Sequence, residues 1–370
     1  MEFKVLKENI VKHLQYAINF ANLKSVTDIL QSIYIELKDD NITLKATNFQ
    51  ITFIANIKPI ESSREGKLTI NCKILHDILK VLPDNSIITF IYEGNNLYIN
   101  TNYTNYKLAT LNSDMFPNMN EIVPSSIFKI ETHKLLNIFK KTYICTPIDN
   151  PKIEYTGLKL EINEDQLIVT ATGLQRIAIA NDTINKEYSN DIKMNIPRKT
   201  ISEIIKIFEK TEELEVSTDE KLIMFKSEEV TVISKLIDKF PKTVNRLFNS
   251  EYPFNIKFNR KEFIEAIRRV SSISNDEVNP ISLDIIDNNL ELTLLESAYG
   301  SSKESLNLID SNIEKFIIGI NSKQILEILS VCESEYVVFQ MVDQRSPALL
   351  KPQDENIVYL IVPVEFSSLN

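Results

Sequence analysis

The side chains that could carry out catalysis are few in this 370-residue chain, and they are scattered. Its three histidines and three cysteines lie far apart, so the chain lacks both metal-site spacings, CxxC and HExxH. Six glycines leave little material for a phosphate-cradling loop. Carboxylate pairs such as Asp39-Asp40 and Glu228-Glu229 stand in turn-like contexts, which favours solvated hairpin tips over a general acid and base. We therefore predict no enzyme, no cofactor and no metal site.

Non-specific contact with phosphates is the chemistry that the basic residues indicate. The chain has 51 acidic and 41 basic residues and a formal net charge of −10, yet the six helices inferred below carry +8 and the rest −18. Lys261 and Arg268 share one helix face, opposite Phe263, Ile267 and Val270. Basic helices inside an acidic protein are typical of a nucleic-acid channel. The alternative is a set of solvated helix faces balanced by strand charges.

These helices belong to a unit that occurs three times at a spacing of about 124 residues. The repeated segments are 33–44 with 158–169 and 281–292, and 70–79 with 196–205 and 320–329. Each unit reads as strand, helix, antiparallel strands, helix and further strands. The predicted helices are 8–21, 71–82, 132–145, 197–210, 259–273 and 321–332, with Asn9, Thr132 and Asn259 as N-caps of each unit's first helix.

The fold class that follows is α+β, with three tandem domains of two helices packed on antiparallel sheets. We predict domains at residues 1–122, 123–248 and 249–370. The sequence has no signal-peptide pattern, no apolar run of membrane-spanning length and no disulfide framework. These features predict a cytoplasmic protein.

The chain resembles the bacterial DNA polymerase III beta subunit family, the DNA sliding clamps, over essentially its whole length. The resemblance rests on the threefold repeat, on Ile196-Pro197-Arg198-Lys199, on 234–238 before Phe240-Pro241, and on the terminal Val362-Pro363-Val364. It implies a head-to-tail homodimer whose six domains close into a ring around double-stranded DNA without reading its sequence. A clamp loader would open the ring. The replicative DNA polymerase alpha subunit and other proteins with a clamp-binding motif would bind it through a short peptide.

The resemblance assigns residues to three surfaces. The residues that match DNA-facing positions are Lys24, Lys73, Lys80, Arg198 and Lys199. Those that match an apolar partner-peptide pocket are Tyr155, Thr172, Leu174, Arg176, Ile177, Pro241, Arg246, Leu247, Ser346, Leu360, Val362, Pro363 and Val364. The dimer contact would use Tyr106 and Leu108 on an edge strand, with Ser272 and Ile273 near the end of the fifth helix.

Two departures from the family pattern carry predictions. The family commonly has Thr-Asp-Gly-His-Arg where this chain has 172–176 reading Thr-Gly-Leu-Gln-Arg, which predicts a more apolar pocket rim. Ser272 replaces an apolar residue, which predicts a weaker dimer than usual. The terminal residues 367–370 extend beyond the family's usual end, and we predict that they lie over the pocket mouth.

Two alternatives remain open on the sequence. Ile177, Leu247 and Val362 are also what plain core residues look like. The whole chain could be a protein-interaction scaffold of the same repeat fold that never encircles DNA. A clamp, unlike a scaffold, should leave a circular DNA when the circle is cut.

Overall fold

The computed structural model describes residues 1–117, 124–184, 191–242, 245–274, 279–297 and 300–365. Of 245–246 and 295–297 it describes the backbone alone. The predicted extension 367–370 therefore lies outside the described residues. Each repeat begins with a strand that runs directly into a helix, as predicted.

The described residues of the first repeat form nine strands and two α-helices. They are β1 (Glu2–Leu6), α1 (Lys7–Phe20), β2 (Ser32–Lys38), β3 (Asn41–Thr47), β4 (Ile51–Ile57), β5 (Glu61–Arg64), β6 (Gly66–Asn71), α2 (Cys72–Lys80), β7 (Ile87–Glu93), β8 (Asn96–Asn100) and β9 (Asn105–Ala109). The predicted hairpin of β7 and β8 is confirmed. Gly94 and Asn95, with φ of 52° and 66°, form its turn, and such left-handed positions favour glycine and asparagine.

The second repeat follows the same order. Its elements are β10 (Ser126–Glu131), α3 (Thr132–Thr142), β11 (Gly157–Asn163), β12 (Gln166–Thr172), β13 (Arg176–Thr183), β14 (Ile192–Pro197), α4 (Arg198–Ile207), β15 (Glu213–Thr218), β16 (Leu222–Lys226) and β17 (Val230–Lys235). Short 3-10 turns at 143–145 and 153–155 lie between α3 and β11.

The third repeat is preceded by a single helical turn, α5 (Asn245–Phe248). Its elements are β18 (Phe254–Asn259), α6 (Arg260–Ser271), β19 (Pro280–Ile286), β20 (Asn289–Ser297), β21 (Gly300–Asn307), β22 (Asp310–Ser311), β23 (Lys315–Asn321), α7 (Ser322–Val331), β24 (Tyr336–Met341), β25 (Ala348–Pro352) and β26 (Ile357–Ile361). The predicted α+β fold of three repeats is confirmed. The predicted domain boundaries stay a prediction.

The helix starts show which capping predictions hold. Asn259 caps α6, because its side chain accepts from the N–H groups of Lys261 and Glu262. The prediction for Asn9 is wrong. Residue 9 lies inside α1, which begins at Lys7, where the backbone N–H donates to the Ser86 carbonyl. The prediction for Thr132 is also wrong, because α3 begins at Thr132 itself and the Thr132 hydroxyl caps no N–H group.

The chain divides into two compact units, one of residues 1–133 and 202–236, the other of 134–201 and 237–370. The first contains a five-stranded sheet, β5-β1-β7-β8-β9, and an eight-stranded sheet, β10-β15-β16-β17-β4-β3-β2-β6. The second contains a nine-stranded sheet, β14-β11-β12-β13-β26-β25-β24-β18-β22, and a four-stranded sheet, β21-β20-β19-β23. Two pairings, β4 with β17 and β13 with β26, join successive repeats.

The core of the first unit includes a buried histidine that makes the stability of the fold depend on pH. His13 on α1 is buried, and its Nε2 lies 3.9 Å from the Glu229 carboxylate. Burial, helped by the charge of Lys12 and opposed by Glu229, lowers the pKa of His13 to about 4.

We expect this histidine to make the protein less stable as the pH falls. The unfolded chain takes up the proton near pH 6.5, whereas the folded chain does so only near pH 4. Stability is therefore lost between these values, by about 1.4 kcal/mol per pH unit. The free energy of unfolding is measured in urea at pH 7 and at pH 5. Its loss between these two values should be about 2 kcal/mol smaller in His13→Gln than in the unmodified chain. His133→Gln, an exposed control, should leave the loss unchanged, and an equal loss in all three proteins would contradict the assignment.

Candidate peptide pocket and basic helix faces

An apolar cluster in the second unit contains three of the predicted pocket residues. Ile177 on β13 and Leu360 on β26 lie opposite each other in the sheet and are buried with Leu349. Partly buried hydrophobic residues pack against them: Leu247, Phe248, Tyr252 and Val358. The cluster thus brings together strand residues of two repeats and the segment that connects them.

Four members of this cluster were not predicted: Leu349, Phe248, Tyr252 and Val358. Leu349 lies opposite Leu360 on the neighbouring strand, and that pairing is not readable from sequence spacing. Phe248 and Tyr252 closely follow the predicted Leu247, so the apolar composition of 247–252 was a usable signal. The Tyr252 hydroxyl donates to the Leu247 carbonyl at 2.8 Å, which closes this segment on itself.

The turn between β12 and β13 forms a rim beside the cluster. The Gly173 N–H donates to the Arg176 carbonyl, and a Cβ atom at residue 173 would lie 2.5 Å from the Cys145 carbonyl oxygen. Only glycine fits this approach. The next residue, Leu174, is 80% exposed. Across from it the Val362 N–H donates to the Gln175 carbonyl, and Val362 itself is 38% exposed.

Polar contacts hold this rim against α7. The Arg176 guanidinium pairs with the Glu327 carboxylate at 2.5 Å, and its side chain is 19% exposed. The Gln324 side-chain amide donates to the Gln175 side-chain oxygen, also at 2.5 Å. The charge of Arg176 is therefore balanced within the fold, and the exposed residues of the turn between β12 and β13 are the apolar Leu174 and the polar Gln175.

The remaining predicted pocket residues lie in different environments. Thr172 and Pro241 are buried, whereas Tyr155, Pro363 and Val364 are half-buried. Ser346 donates its hydroxyl to Asp343, so it stabilises a local turn. The side chain of Arg246 lies outside the described residues.

The predicted DNA-facing residues fall into two groups. Lys24, Lys73, Lys80 and Lys199 are exposed, and Lys73 forms an ion pair with Asp77 on the same helix. Arg198 is half-buried.

The Arg198 guanidinium lies over the Tyr143 ring at 5.0 Å and donates to the carbonyls of Tyr143, at 2.7 Å, and Thr146. Burial lowers its pKa. Its nearest partners are thus backbone acceptors of residues 143–146, the 3-10 turn and the residue that follows it.

The predicted dimer residues lie on free sheet edges and at one helix end. Tyr106 and Leu108 are half-buried on β9, the last strand of its sheet. Ser272 is exposed just after α6 and donates its hydroxyl to the Arg269 carbonyl at 2.8 Å, while Ile273 is half-buried. The four-stranded sheet ends in β21. Among the described strands, none pairs with the outer side of β9 or of β21.

The described part of the chain holds no group of three His, Cys, Asp or Glu side chains placed to bind a metal ion. None of its helices is long and apolar enough to cross a membrane.

Comparison with known proteins gives matches along nearly the whole chain. The sequence matches three models of the DNA polymerase III beta subunit: its N-terminal domain at 1–120, its central domain at 129–242 and its C-terminal domain at 245–365. The beta sliding clamp of Rickettsia felis is 25% identical, with 97% of this chain and 98% of that protein covered. The beta sliding clamp of Haemophilus influenzae is 24% identical, with 98% and 100% covered.

Solved structures share the fold. The Pseudomonas aeruginosa sliding clamp bound to griselimycin superposes with a TM-score of 0.94 at 22% identity, covering 99% of this chain and 100% of that one. The Helicobacter pylori beta clamp bound to a DNA ligase peptide superposes with a TM-score of 0.90 at 26% identity, with the same coverage.

Proposed function

Because this chain belongs to the DNA polymerase III beta subunit family, we propose that it is a DNA sliding clamp, a non-catalytic processivity factor. Two copies join head to tail into a ring around double-stranded DNA. A clamp loader opens the ring. The replicative DNA polymerase alpha subunit and other proteins with a clamp-binding motif are tethered at the apolar pocket.

The observation that carries the ring is the repeated strand pairing between successive repeats. In the first pairing Val232 lies opposite Phe53, and in the second Tyr359 lies opposite Ala178. Each pair is at the same place in its repeat. Val232 lies opposite Phe225 of the preceding strand, and Tyr359 lies opposite Leu350 in the same way. On the other side of each pairing, Phe53 lies opposite Ala46, and Ala178 lies opposite Ala171.

The edge strands β9 and β21 have the matching residues. Tyr106 on β9 lies opposite Ile99, and Ser302 on β21 lies opposite Leu294. Pairing β9 of one copy with β21 of the other in the repeated register places Tyr106 opposite Ser302 and Leu108 opposite Gly300. Exposed edge strands are sites of unwanted association unless they are covered. Two such contacts cover the β9 edge and the β21 edge of both copies and close the assembly.

The basic residues fit a weak grip on the duplex. Lys24, Lys73, Lys80 and Lys199 are exposed, so they can attract phosphates without fixed geometry. A closed ring retains DNA by linkage, and tight binding is not required. Arg198 would act mainly by holding the 143–145 turn against the start of α4, the helix that also carries Lys199.

The pocket fits a short peptide with apolar side chains. The cluster around Ile177 and Leu360 provides its floor, and the exposed Leu174 and Val362 provide its rim. Since Arg176 is neutralised by Glu327, apolar contact dominates recognition. The more apolar rim expected from residues 173–175 is part of this proposal.

The dimer strength remains a prediction. Ser272 lies sixteen residues after Ile256, as Asn19 does after Phe3, and Asn19 donates to Glu203 at 3.0 Å within the first unit. Ser272 instead donates to its own helix, so it does not give the subunit contact the hydrogen bond that Asn19 makes between the first two repeats.

We expect topology to decide between a clamp and a scaffold. Protein assembled on a circular plasmid should stay bound in high salt and leave when the plasmid is cut once, because linkage and not phosphate contact retains it. Gel filtration of the DNA before and after cutting measures this. Retention that is equal on circular and linear DNA would support the non-encircling scaffold.

A further inference from the structure

We propose that Tyr103, at the tip of the β8–β9 hairpin, anchors the subunit contact by packing on Arg269 of the second copy. The inference rests on the proposed ring closure. It adds a residue pair to that surface and predicts how the contact responds to salt.

The corresponding hairpin tips of the other repeats use ion pairs. Glu229, before β17, has its carboxylate 3.6 Å from Lys12 Nζ on α1. Glu355, before β26, lies 2.6 Å from Lys141 Nζ on α3, and both side chains are only 8% exposed. Each time, an acidic tip meets a basic residue on the first helix of the preceding repeat.

Backbone hydrogen bonds fix the correspondence at these tips. The Asn56 N–H donates to the Glu229 carbonyl and the Asn181 N–H to the Asn356 carbonyl, each at 2.9 Å. Glu229 and Asn356 lie three residues before Val232 and Tyr359, and Tyr103 lies three residues before Tyr106. Tyr103 therefore occupies the place of Glu229 in the repeated geometry, and Asn102 occupies the place of Glu355.

The 101–104 tip has no acidic residue, and it presents an aromatic ring. Its sequence is Thr-Asn-Tyr-Thr, and Tyr103 is 77% exposed. The Thr101 hydroxyl accepts from the N–H groups of Tyr103, at 3.2 Å, and Thr104, at 3.0 Å. This local turn holds the hairpin tip in one shape before any partner binds.

This tip would meet Glu265 and Arg269 of the other copy. Glu265 lies nine residues after Ile256, as Lys12, the partner of Glu229, does after Phe3. Arg269 lies one helical turn further on, thirteen residues after Ile256, as Lys141, the partner of Glu355, does after Phe128. The Tyr359 hydroxyl donates to the Lys141 carbonyl at 3.0 Å. Tyr106, in the place of Tyr359, would reach the Arg269 carbonyl in the same way. Two tyrosines of one copy thus converge on one arginine of the other.

The surroundings of Arg269 favour an aromatic partner over an acidic one. Its guanidinium is held by Glu304, at 2.6 Å and 3.0 Å, and lies 3.7 Å from Glu265. A third carboxylate would add repulsion to a charge that is already balanced. The face of an aromatic ring can stack on the planar Arg269 guanidinium, while the N–H groups at the edge of the guanidinium keep both salt bridges. The subunit contact therefore lacks the tip ion pair that Lys12 and Lys141 form elsewhere in the chain.

The test is the dimer dissociation constant of the full-length chain, measured by sedimentation of labelled protein over a dilution series. Tyr103→Ala should raise the constant at least about tenfold, since two contacts are lost per dimer. Tyr103→Phe should leave it within about threefold, because the ring is retained. Tyr103→Glu should raise it at least as much as Tyr103→Ala. Val26→Ala, at another fully exposed apolar residue, is the control and should change nothing.

Each outcome bears on a separate claim. In an Arg269→Gln background the effect of Tyr103→Ala should shrink to less than about threefold, which assigns it to this pair. An unchanged constant in Tyr103→Ala would overturn the anchor while leaving the ring intact. A tighter, salt-sensitive dimer in Tyr103→Glu would also overturn it, by showing that the tip prefers an ion pair. A monomeric unmodified chain would instead contradict the ring closure itself.

Discussion

The chain carrying Lys107→Cys and Ser301→Cys should convert almost completely to a covalent dimer on mild oxidation, with twice the 42.6 kDa mass under denaturing conditions. The repeated register places residue 107 of one copy opposite residue 301 of the other, as Ile233 lies opposite Thr52. Such a hydrogen-bonded pair has Cα atoms about 5.5 Å apart, which is within the range of a disulfide.

The native cysteines should not interfere with this reaction. Cys72, Cys145 and Cys332 are buried and free. Burial raises the pKa of each thiol to about 12, so little reactive thiolate forms at neutral pH. Lys107 and Ser301 are exposed, so the substitutions leave the core unchanged.

A register control makes the cross-link specific. Lys107→Cys with Lys303→Cys uses an exposed residue on the same face of β21, two positions out of the expected pairing. This pair should form little covalent dimer. Equal cross-linking of both pairs, or an intramolecular disulfide in the first, would reject the proposed strand pairing.

A charge at the pocket rim should weaken peptide binding strongly. Val362→Asp is expected to weaken the affinity for the DNA ligase peptide seen on the Helicobacter pylori clamp by about 100-fold or more, since an apolar peptide side chain would desolvate the carboxylate. Fluorescence anisotropy with the labelled peptide measures this. Because Val362 is already 38% exposed, the melting temperature should be nearly unchanged.

The matched control is Val26→Asp, a fully exposed valine in the other unit, which should bind the peptide like the unmodified chain. A chain that carries Val362→Asp together with Lys107→Cys and Ser301→Cys should still form the 107–301 disulfide, because ring closure and peptide binding use different surfaces. Normal peptide affinity in Val362→Asp would show that the cluster around Ile177 is plain core. Failure of the unmodified chain to bind would reject this pocket for that peptide.

Periodicity made the helices and the threefold repeat readable from the sequence. The buried positions of α6, among them Phe263, Ile267 and Val270, are those expected from helical spacing. The start of α1 was not readable, because its first N–H is satisfied by the distant Ser86 carbonyl. The caps of α2 and α7, Asn71 and Asn321, were open to prediction as polar residues at helix entries.

The site was only partly predictable for a related reason. The resemblance supplied Ile177, Leu247 and Leu360, but Leu349 joins them through a strand pairing that no local pattern encodes. Arg198 matched a DNA-facing position, yet two carbonyls of the 143–146 segment take up its guanidinium. The register of the subunit contact required the observed pairings of β4 with β17 and β13 with β26.

The most direct test of the account is whether a covalently closed ring becomes linked to circular DNA. Dilute, reduced Lys107→Cys, Ser301→Cys chain is mixed with a circular plasmid, concentrated and oxidised, and the sample is then denatured in detergent. We expect protein to remain with the plasmid through denaturation and to be released by a single cut, since only linkage survives detergent. Complete disulfide formation with no detergent-resistant protein on the circle would contradict the claim that this chain encircles DNA.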